Sequence, residues 1–380
     1  MTIRTCAIAL LIIADLFANA QTNAPADGSK PACSNVPGVQ FPQVNSERRA
    51  HFRIVAPDAK NVSVSLPGGS RMTKGTDGVW TVTTDPLALG FHYYSITVDG
   101  ATVSDPASDG YFGTGRMSSG IEVPSPGEDF YLPKDVPHGD IRAHNYFAKS
   151  TGLIRRCFVY TPPGYDTNLT ARYPVLYLLH GMGEDARAWP AQGHVGFILD
   201  NLLADHKAKP MLVVMDDGGI TPGAMTGPRR GRTPMFWDKF TPVLIEDIIP
   251  MIDSTYRTIP DREHRAIAGV SLGGTQTWGI TQAHLDKFSC IGSFSAPFGY
   301  PQVPDGYNGL FGDPAAFVKQ VNVLFISVGT AEGGMGSGAH TLHQALEKAG
   351  IKHVYYESPG TAHEWQSWRR SFYQFAPLLF

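Results

Sequence analysis

Between positions 49 and 98, apolar and polar residues alternate in short runs at 51–55, 61–66, 79–83 and 91–98. Turn-forming clusters, Pro67-Gly68-Gly69 and Thr76-Asp77-Gly78, separate these runs, and no helical stretch intervenes. Alternation with a period of two sends one set of side chains to a buried face and the other to solvent, so the spacing predicts a small antiparallel, immunoglobulin-like β-sandwich over residues 45–125. Residues 21–44 have little apolar periodicity and read as a linker or loosely docked lead-in. A second linker, 126–137, opens in the Pro/Gly-rich stretch around Ser125-Pro126-Gly127.

Beyond it the rhythm changes. Nearly continuous apolar runs at 156–161, 174–180, 210–216, 264–270, 288–295, 321–328 and 353–357 alternate with amphipathic stretches at 196–204, 239–256, 273–284, 340–349 and 364–376. Strands that are apolar on both faces, each followed by a helix, predict an α/β domain over 138–380 with a mostly parallel sheet covered on both sides. No internal repeat is present.

Composition narrows the partners. The 380 residues carry 31 basic and 34 acidic side chains, a net charge of -3, with 42% hydrophobic residues. No Lys/Arg block offers a surface for a phosphate backbone or an anionic membrane, so nucleic acid is not an expected partner. Residues 1–20 combine Arg4, an apolar run from Ala7 to Ala14 and the small-residue stretch Ala18-Asn19-Ala20, and read as a secretory signal peptide. The run is too short for a membrane anchor, which needs about 20 apolar residues. Removing that segment leaves Cys33, Cys157 and Cys290, an odd number, so a large core rather than a disulfide framework must hold the fold. No metal or cofactor is expected: His340 and His343 lack a third ligand at suitable spacing, and H-E-x-x-H is absent.

In an open α/β sheet the chemistry sits beyond the carboxyl ends of the strands. The predicted strand 264–270 runs into Gly269-Val270-Ser271-Leu272-Gly273, a G-x-S-x-G pattern between a strand and a helix. Small residues at Gly269 and Gly273 permit the sharp turn that lifts Ser271 above the sheet as a nucleophile. A serine needs a base, the base needs an orienting acid, and in this topology the chain order is Ser, acid, His. Glu332 follows the predicted strand 321–328 and is the candidate acid, whereas Asp305 and Asp313 lie in a Pro/Gly-rich loop and read as turn residues. His363, in the loop after the last strand, is the candidate base; His284, His340, His343 and His353 fall on predicted helices or at a strand start. The oxyanion hole would combine the N–H of Leu272 with that of Met182 in the loop His180-Gly181-Met182-Gly183.

These residues also carry a family resemblance. Residues 160–165 (Tyr-Thr-Pro-Pro-Gly-Tyr), 173–181, 268–274, His363-Glu364-Trp365 and Trp368-Arg369-Arg370 resemble carbohydrate esterases of the feruloyl and acetylxylan esterase type, within the esterase D superfamily of α/β hydrolases. The resemblance spans about 138–380 and implies Ser271, Glu332 and His363 as the triad, with Glu332 standing where many relatives have Asp. Phe52–Ala59, Asp77-Gly78-Val79-Trp80 and Val98-Asp99-Gly100 resemble the early-set, glycogen-binding-like modules that precede some of these esterases. In that module Trp80, Tyr93 and Tyr94 are either sugar-stacking platforms or, as is commoner for aromatics at alternating strand positions, core.

The resemblance implies a secreted serine esterase acting on a polysaccharide or oligosaccharide ester, feruloylated arabinoxylan first. Trp189, Phe236 and Trp237 are candidates to sandwich the planar acyl ring, unless they pack beneath the Gly/Pro/Arg-rich stretch 218–240. An acetylxylan esterase would have a tighter site. A siderophore esterase and a mycolyl-type acyltransferase are further alternatives on the same triad. A carbohydrate-binding protein without catalysis is the reading from another class, and three chemistry-bearing residues at strand ends argue against it.

Overall fold

The computed structural model describes residues 27–66, 70–218 and 239–380. Residues 1–26, which include the predicted signal segment, therefore lie outside the described residues.

The N-terminal part is all-β. One antiparallel sheet runs, in spatial order, Lys30–Pro31, Gln43–Val44, Ala50–Val55, Val79–Thr83, Thr73–Lys74. A second runs Ala101–Val103, Ile96–Val98, Val62–Val64, Ser70–Arg71, and a third joins Tyr111–Gly113, Arg116–Val123 and Gly90–Tyr94. Their facing side chains, among them Phe52, Val62, Trp80, Tyr94, Ile96 and Ile121, form one core. Trp80 and Tyr94 are core residues whose polar ends are satisfied inside: Trp80 Nε1–H donates to Ala56 O (2.9 Å) and Tyr94 O–H to Asp105 Oδ2 (2.8 Å). The lead-in differs from expectation. From Lys30 it is part of the sheet, because Lys30–Pro31 and Gln43–Val44 pair with each other and then with Ala50–Val55.

The second part is built on eight strands: β1 Asp140–Ala148, β2 Leu153–Thr161, β3 Val175–Leu179, β4 Leu212–Asp216, β5 Arg265–Val270, β6 Cys290–Phe294, β7 Val323–Gly329 and β8 Val354–Ser358. Their spatial order is β1-β2-β4-β3-β5-β6-β7-β8, antiparallel at β1, β2 and β4 and parallel from β4 to β8. β3 to β6 are buried at every position, which accounts for their near-continuous apolar character. One face packs on helices Val195–Ala204 and Trp365–Phe375 through Leu176, Leu178, Ile198, Phe294 and Phe372. The opposite face packs residues 240–252 against Tyr177, Val214 and Ile267. Edge strand β1, the single-turn helix Ala188–Ala191 and helix Pro314–Gln320 escaped the periodicity; the N-cap of the last is Asp313, accepting from Ala316 N–H (3.0 Å). Cys157 on β2 and Cys290 on β6 are buried free thiols on non-adjacent strands, and Cys33 is free and exposed.

The segment 126–137 is not a free tether. Tyr131 is buried in the sheet domain's core, Phe130 packs on Tyr373 with ring centroids 4.6 Å apart, and Asn201 Nδ2–H donates to the carbonyls of Phe130 (2.9 Å) and Leu132 (3.0 Å).

Candidate active site

β5 ends at Val270, and the chain turns through Ser271 into helix Leu272–Ala283. Ser271 has φ 51° and ψ -116°, a left-handed φ that a side-chain-bearing residue seldom adopts. The two flanking glycines make the turn possible for steric reasons. A Cβ on Gly269 would lie 2.4 Å from the carbonyl carbon of Gly273, and one on Gly273 would lie 2.6 Å from His180 O. Ser271 N–H donates to Phe294 O at the end of β6 (2.8 Å), which fixes the turn to the sheet.

Three strand ends converge on Ser271. Its Oγ is 2.8 Å from His363 Nε2, and His363 Nδ1 is 3.0 Å from Glu332 Oε2. The loop carrying Glu332 is stitched to the loop carrying His363: Thr330 N–H donates to Ser358 O (3.0 Å), Ala331 N–H to Thr361 O (2.9 Å) and Gly360 N–H to Thr330 Oγ1 (2.7 Å). Trp368, on the following helix, meets the His363 ring edge to face with centroids 5.2 Å apart. The other oxygen of Glu332 accepts from Gly329 N–H (2.8 Å) and from Ser295 Oγ–H. Burial works to raise the Glu332 pKa, but the hydrogen bonds from His363, Ser295 and Gly329 outweigh it and hold the carboxyl below its ordinary value. A serine hydroxyl bonded to an imidazole whose far nitrogen is fixed by a carboxylate can give up its proton as it attacks an ester carbonyl.

The expected oxyanion donors lie at the same place. A Cβ on Gly181 would be 3.5 Å from Ser271 Cβ, so the loop after β3 passes directly beside the serine. Leu272 opens the helix, where N–H groups have no intrahelical acceptor, and the Met182 N–H has no hydrogen-bond partner among the described residues. The Gly181 N–H, by contrast, is already engaged by Glu184 Oε2 (3.1 Å).

A cleft of about 240 Å³ reaches His363 from the seam between the two parts of the chain. It is lined by Phe91, His92 and Tyr93 on one side and by Glu184, His363 and Trp368 on the other. The expected acyl-sandwiching residues fare differently. Trp189 is corrected to a core residue: it is 1% exposed, its indole N–H donates to Leu179 O (3.0 Å), and its ring packs against Phe294, Trp365 and Phe372, leaving no face for a substrate. Phe236 and Trp237 lie outside the described residues.

Sequence reasoning assigned no part in the catalytic site to the side chains of Ser295, His180, Glu184 and Tyr93. Ser295 ends a predicted strand, so the strand-end rule that found Glu332 applies to it as well. His180 is buried at the end of β3, its Nδ1 2.7 Å from Gly181 O and its Nε2 accepting from Gly218 N–H (3.1 Å). Glu184 directly follows the loop named for the oxyanion hole. Tyr93, expected as a sugar platform or core, gave no local sign of its tie to Glu184.

Known proteins resemble this chain at the level of family and fold. The model of the Esterase family matches residues 148–379. An endo-1,4-beta-xylanase/feruloyl esterase of Xylanibacter ruminicola is 40% identical over 380 residues, covering 98% of this chain and 50% of that protein, so the chain spans half of its relative's length. Among solved structures, the ferulic acid esterase of Anaeromyces mucronatus, in complex with ferulic acid, matches with a TM-score of 0.56 and 27% identity over 67% of this chain and 96% of that one. The enterobactin esterase of Shigella flexneri matches with a TM-score of 0.62 and 17% identity over 87% of this chain and 92% of that one, a likeness of fold. That coverage exceeds the sheet domain, so the likeness reaches into the N-terminal sheets.

Proposed function

The chain belongs to the Esterase family, and from that membership we propose that it is a secreted serine esterase that removes ester decorations from plant cell-wall polysaccharide, feruloyl groups of arabinoxylan first. The observation that carries the chemistry is the unbroken relay from Ser271 Oγ through His363 to Glu332, at 2.8 and 3.0 Å. The acyl specificity is supported by the likeness to the xylanase/feruloyl esterase and to the ferulic acid esterase. Export is supported by the pattern of residues 1–20, and an early-set character for the N-terminal sandwich by the motifs around Phe52, Trp80 and Asp99.

In this reading His363 Nε2 takes the Ser271 proton as Oγ attacks the ester carbonyl. Glu332, accepting from Nδ1–H, holds the tautomer that leaves Nε2 free to accept and stabilises the imidazolium that forms. The N–H groups of Leu272 and Met182 hold the tetrahedral oxyanion. The sugar hydroxyl leaves with the proton from His363, and a water deprotonated by the same nitrogen releases the acid from the acyl-serine.

The test compares the full chain with Ser271→Ala on methyl ferulate and on acetylated xylan, following the acid released. Ferulate release that falls by on the order of 10³-fold or more in the variant is the expected result. Release of acetate alone would keep the nucleophile and replace the feruloyl assignment with a deacetylase. Absence of hydrolysis of both esters would overturn the reading.

A further inference from the structure

The loop 181–184 beside Ser271 is held from outside its own domain. Glu184 turns back on it, with Oε2 accepting the Gly181 N–H (3.1 Å). The other oxygen accepts the Trp365 Nε1–H (3.0 Å) and, from the N-terminal sandwich, the Tyr93 O–H (2.9 Å). Tyr93 is itself fixed, since its oxygen accepts from Gln192 Nε2–H (2.7 Å) and its ring meets Phe91 edge to face at 4.9 Å. A second tie crosses the same seam: Gly115 N–H, in the turn between strands Tyr111–Gly113 and Arg116–Val123, donates to Gly183 O (2.8 Å). At that contact a Cβ on Gly183 would be 3.2 Å from Gly115 N, and Gly183 has φ +79°. Met182, whose N–H has no partner among the described residues, sits between the two tied residues.

We propose that Tyr93 and Glu184 are positioning residues for the oxyanion hole, so that the N-terminal sandwich is a working part of the esterase site rather than an appended binding module. The proposal rests on the reading of Ser271 as nucleophile and Met182 N–H as oxyanion donor. A backbone donor helps only when its N–H points where charge develops, and the carbonyl of the peptide that carries the Met182 N–H, Gly181 O, is met by His180 Nδ1 (2.7 Å) and accepts from Glu184 N–H (3.4 Å). Tyr93 and Trp365 hold the Glu184 carboxylate, Glu184 holds the Gly181 N–H before the Met182 peptide, and Gly115 holds Gly183 O after it, so that peptide is tied on both sides. Burial raises the Glu184 pKa against the lowering effects of the His180 charge and of the donors from Tyr93, Gly181 and Trp365, in keeping with a carboxyl that depends on those donors.

The experiment uses the full chain with Tyr93→Phe and, separately, Glu184→Gln, each checked by thermal melting. Turnover is followed on p-nitrophenyl acetate, methyl acetate and methyl ferulate. Because every ester develops the same oxyanion, the expected result is a fall in kcat of about 10-fold for Tyr93→Phe and more for Glu184→Gln, equal across the three esters, with KM and the melting temperature unchanged. Loss confined to the ferulate ester would make Tyr93 a substrate contact and overturn the proposal, as would wild-type kcat in a folded Tyr93→Phe. Should Tyr93→Phe fail to fold, Trp365→Phe removes a donor from the same Glu184 oxygen and decides in its place. Ser271→Ala run alongside separates the two claims: activity surviving there sinks the nucleophile assignment, whereas an inactive Ser271→Ala beside unchanged Tyr93→Phe and Glu184→Gln sinks only the positioning role.

Discussion

The two oxygens of Glu332 are bonded asymmetrically. One is saturated by Gly329 N–H and Ser295 Oγ–H, so only the other faces His363 Nδ1. In Glu332→Gln the two donors keep the amide oxygen on their side and turn the amide NH2 toward His363. Nδ1 must then accept, which puts the ring proton on Nε2, where it can no longer take the Ser271 proton. We expect kcat to fall by roughly 10³- to 10⁴-fold with KM little changed, read by steady-state kinetics. The same carboxyl has a pH signature. Its pKa is lower in the folded chain than in the unfolded one, so its contribution to stability is complete above the ordinary carboxylate range and is lost as the pH falls through the folded value. Denaturant midpoints measured down the acid limb should therefore fall more steeply for the parent chain than for Glu332→Gln. Ser271, Glu332 and His363 were legible in the sequence because each follows an apolar run and their chain order is restricted. Ser295 and Tyr93 were not, because what makes them matter is a partner 37 residues away in one case and 91 in the other.

At the scale of elements, periodicity recovered every parallel strand and the helix behind Ser271, since strands buried on both faces stand out against amphipathic helices. It missed β1, which alternates partly exposed positions along a sheet edge, and helix Pro314–Gln320, which is short and embedded in Pro/Gly-rich chain. The helix expected over 239–256 is present but interrupted: Val243–Ile248 widens into a π-turn just ahead of Pro250, which has no N–H to give the preceding turn. The element most tightly constrained is the elbow itself. Gly269 faces the backbone of Gly273, and Gly273 faces that of His180, so neither neighbour can yield as a flexible side chain would. Gly269→Ala and Gly273→Ala should each destabilise the chain by about 1–3 kcal/mol. Gly334→Ala, with nothing within 4 Å of its added Cβ, should melt with the parent. A Gly269→Ala that keeps both the parent melting temperature and the parent kcat would show that the elbow has room the packing denies.

For the molecule as a whole, the feature hardest to read from sequence is the seam between the sandwich and the sheet domain. The linker composition of 126–137 suggested two bodies joined by a tether, yet the seam contains a fully desolvated ion pair. Arg369 on helix Trp365–Phe375 has no exposed side-chain surface and makes two hydrogen bonds to Glu122 of the sandwich, at 2.8 and 3.1 Å. Its Nε–H donates to Gln192 O (2.8 Å), and its guanidinium lies 4.4 Å from the centroid of the Tyr131 ring. The partners are 247 residues apart, so no local pattern announces them. A pair of this kind is worth little against well-packed apolar residues, but it is costly to break, because the survivor is a buried charge without a partner. Glu122→Leu alone should therefore cost about 3–5 kcal/mol, and Arg369→Met alone a similar amount. The double variant Glu122→Leu/Arg369→Met should recover most of that loss, a coupling that a denaturant-unfolding cycle on the four proteins measures directly. Single-step unfolding of the parent, with the sandwich and sheet domain melting together, is the companion expectation. If the two singles were instead additive and each cost less than about 1 kcal/mol, the seam would be a wet, separable contact. The sandwich would then be a tethered module, with no structural route by which its Tyr93 holds the loop beside Ser271.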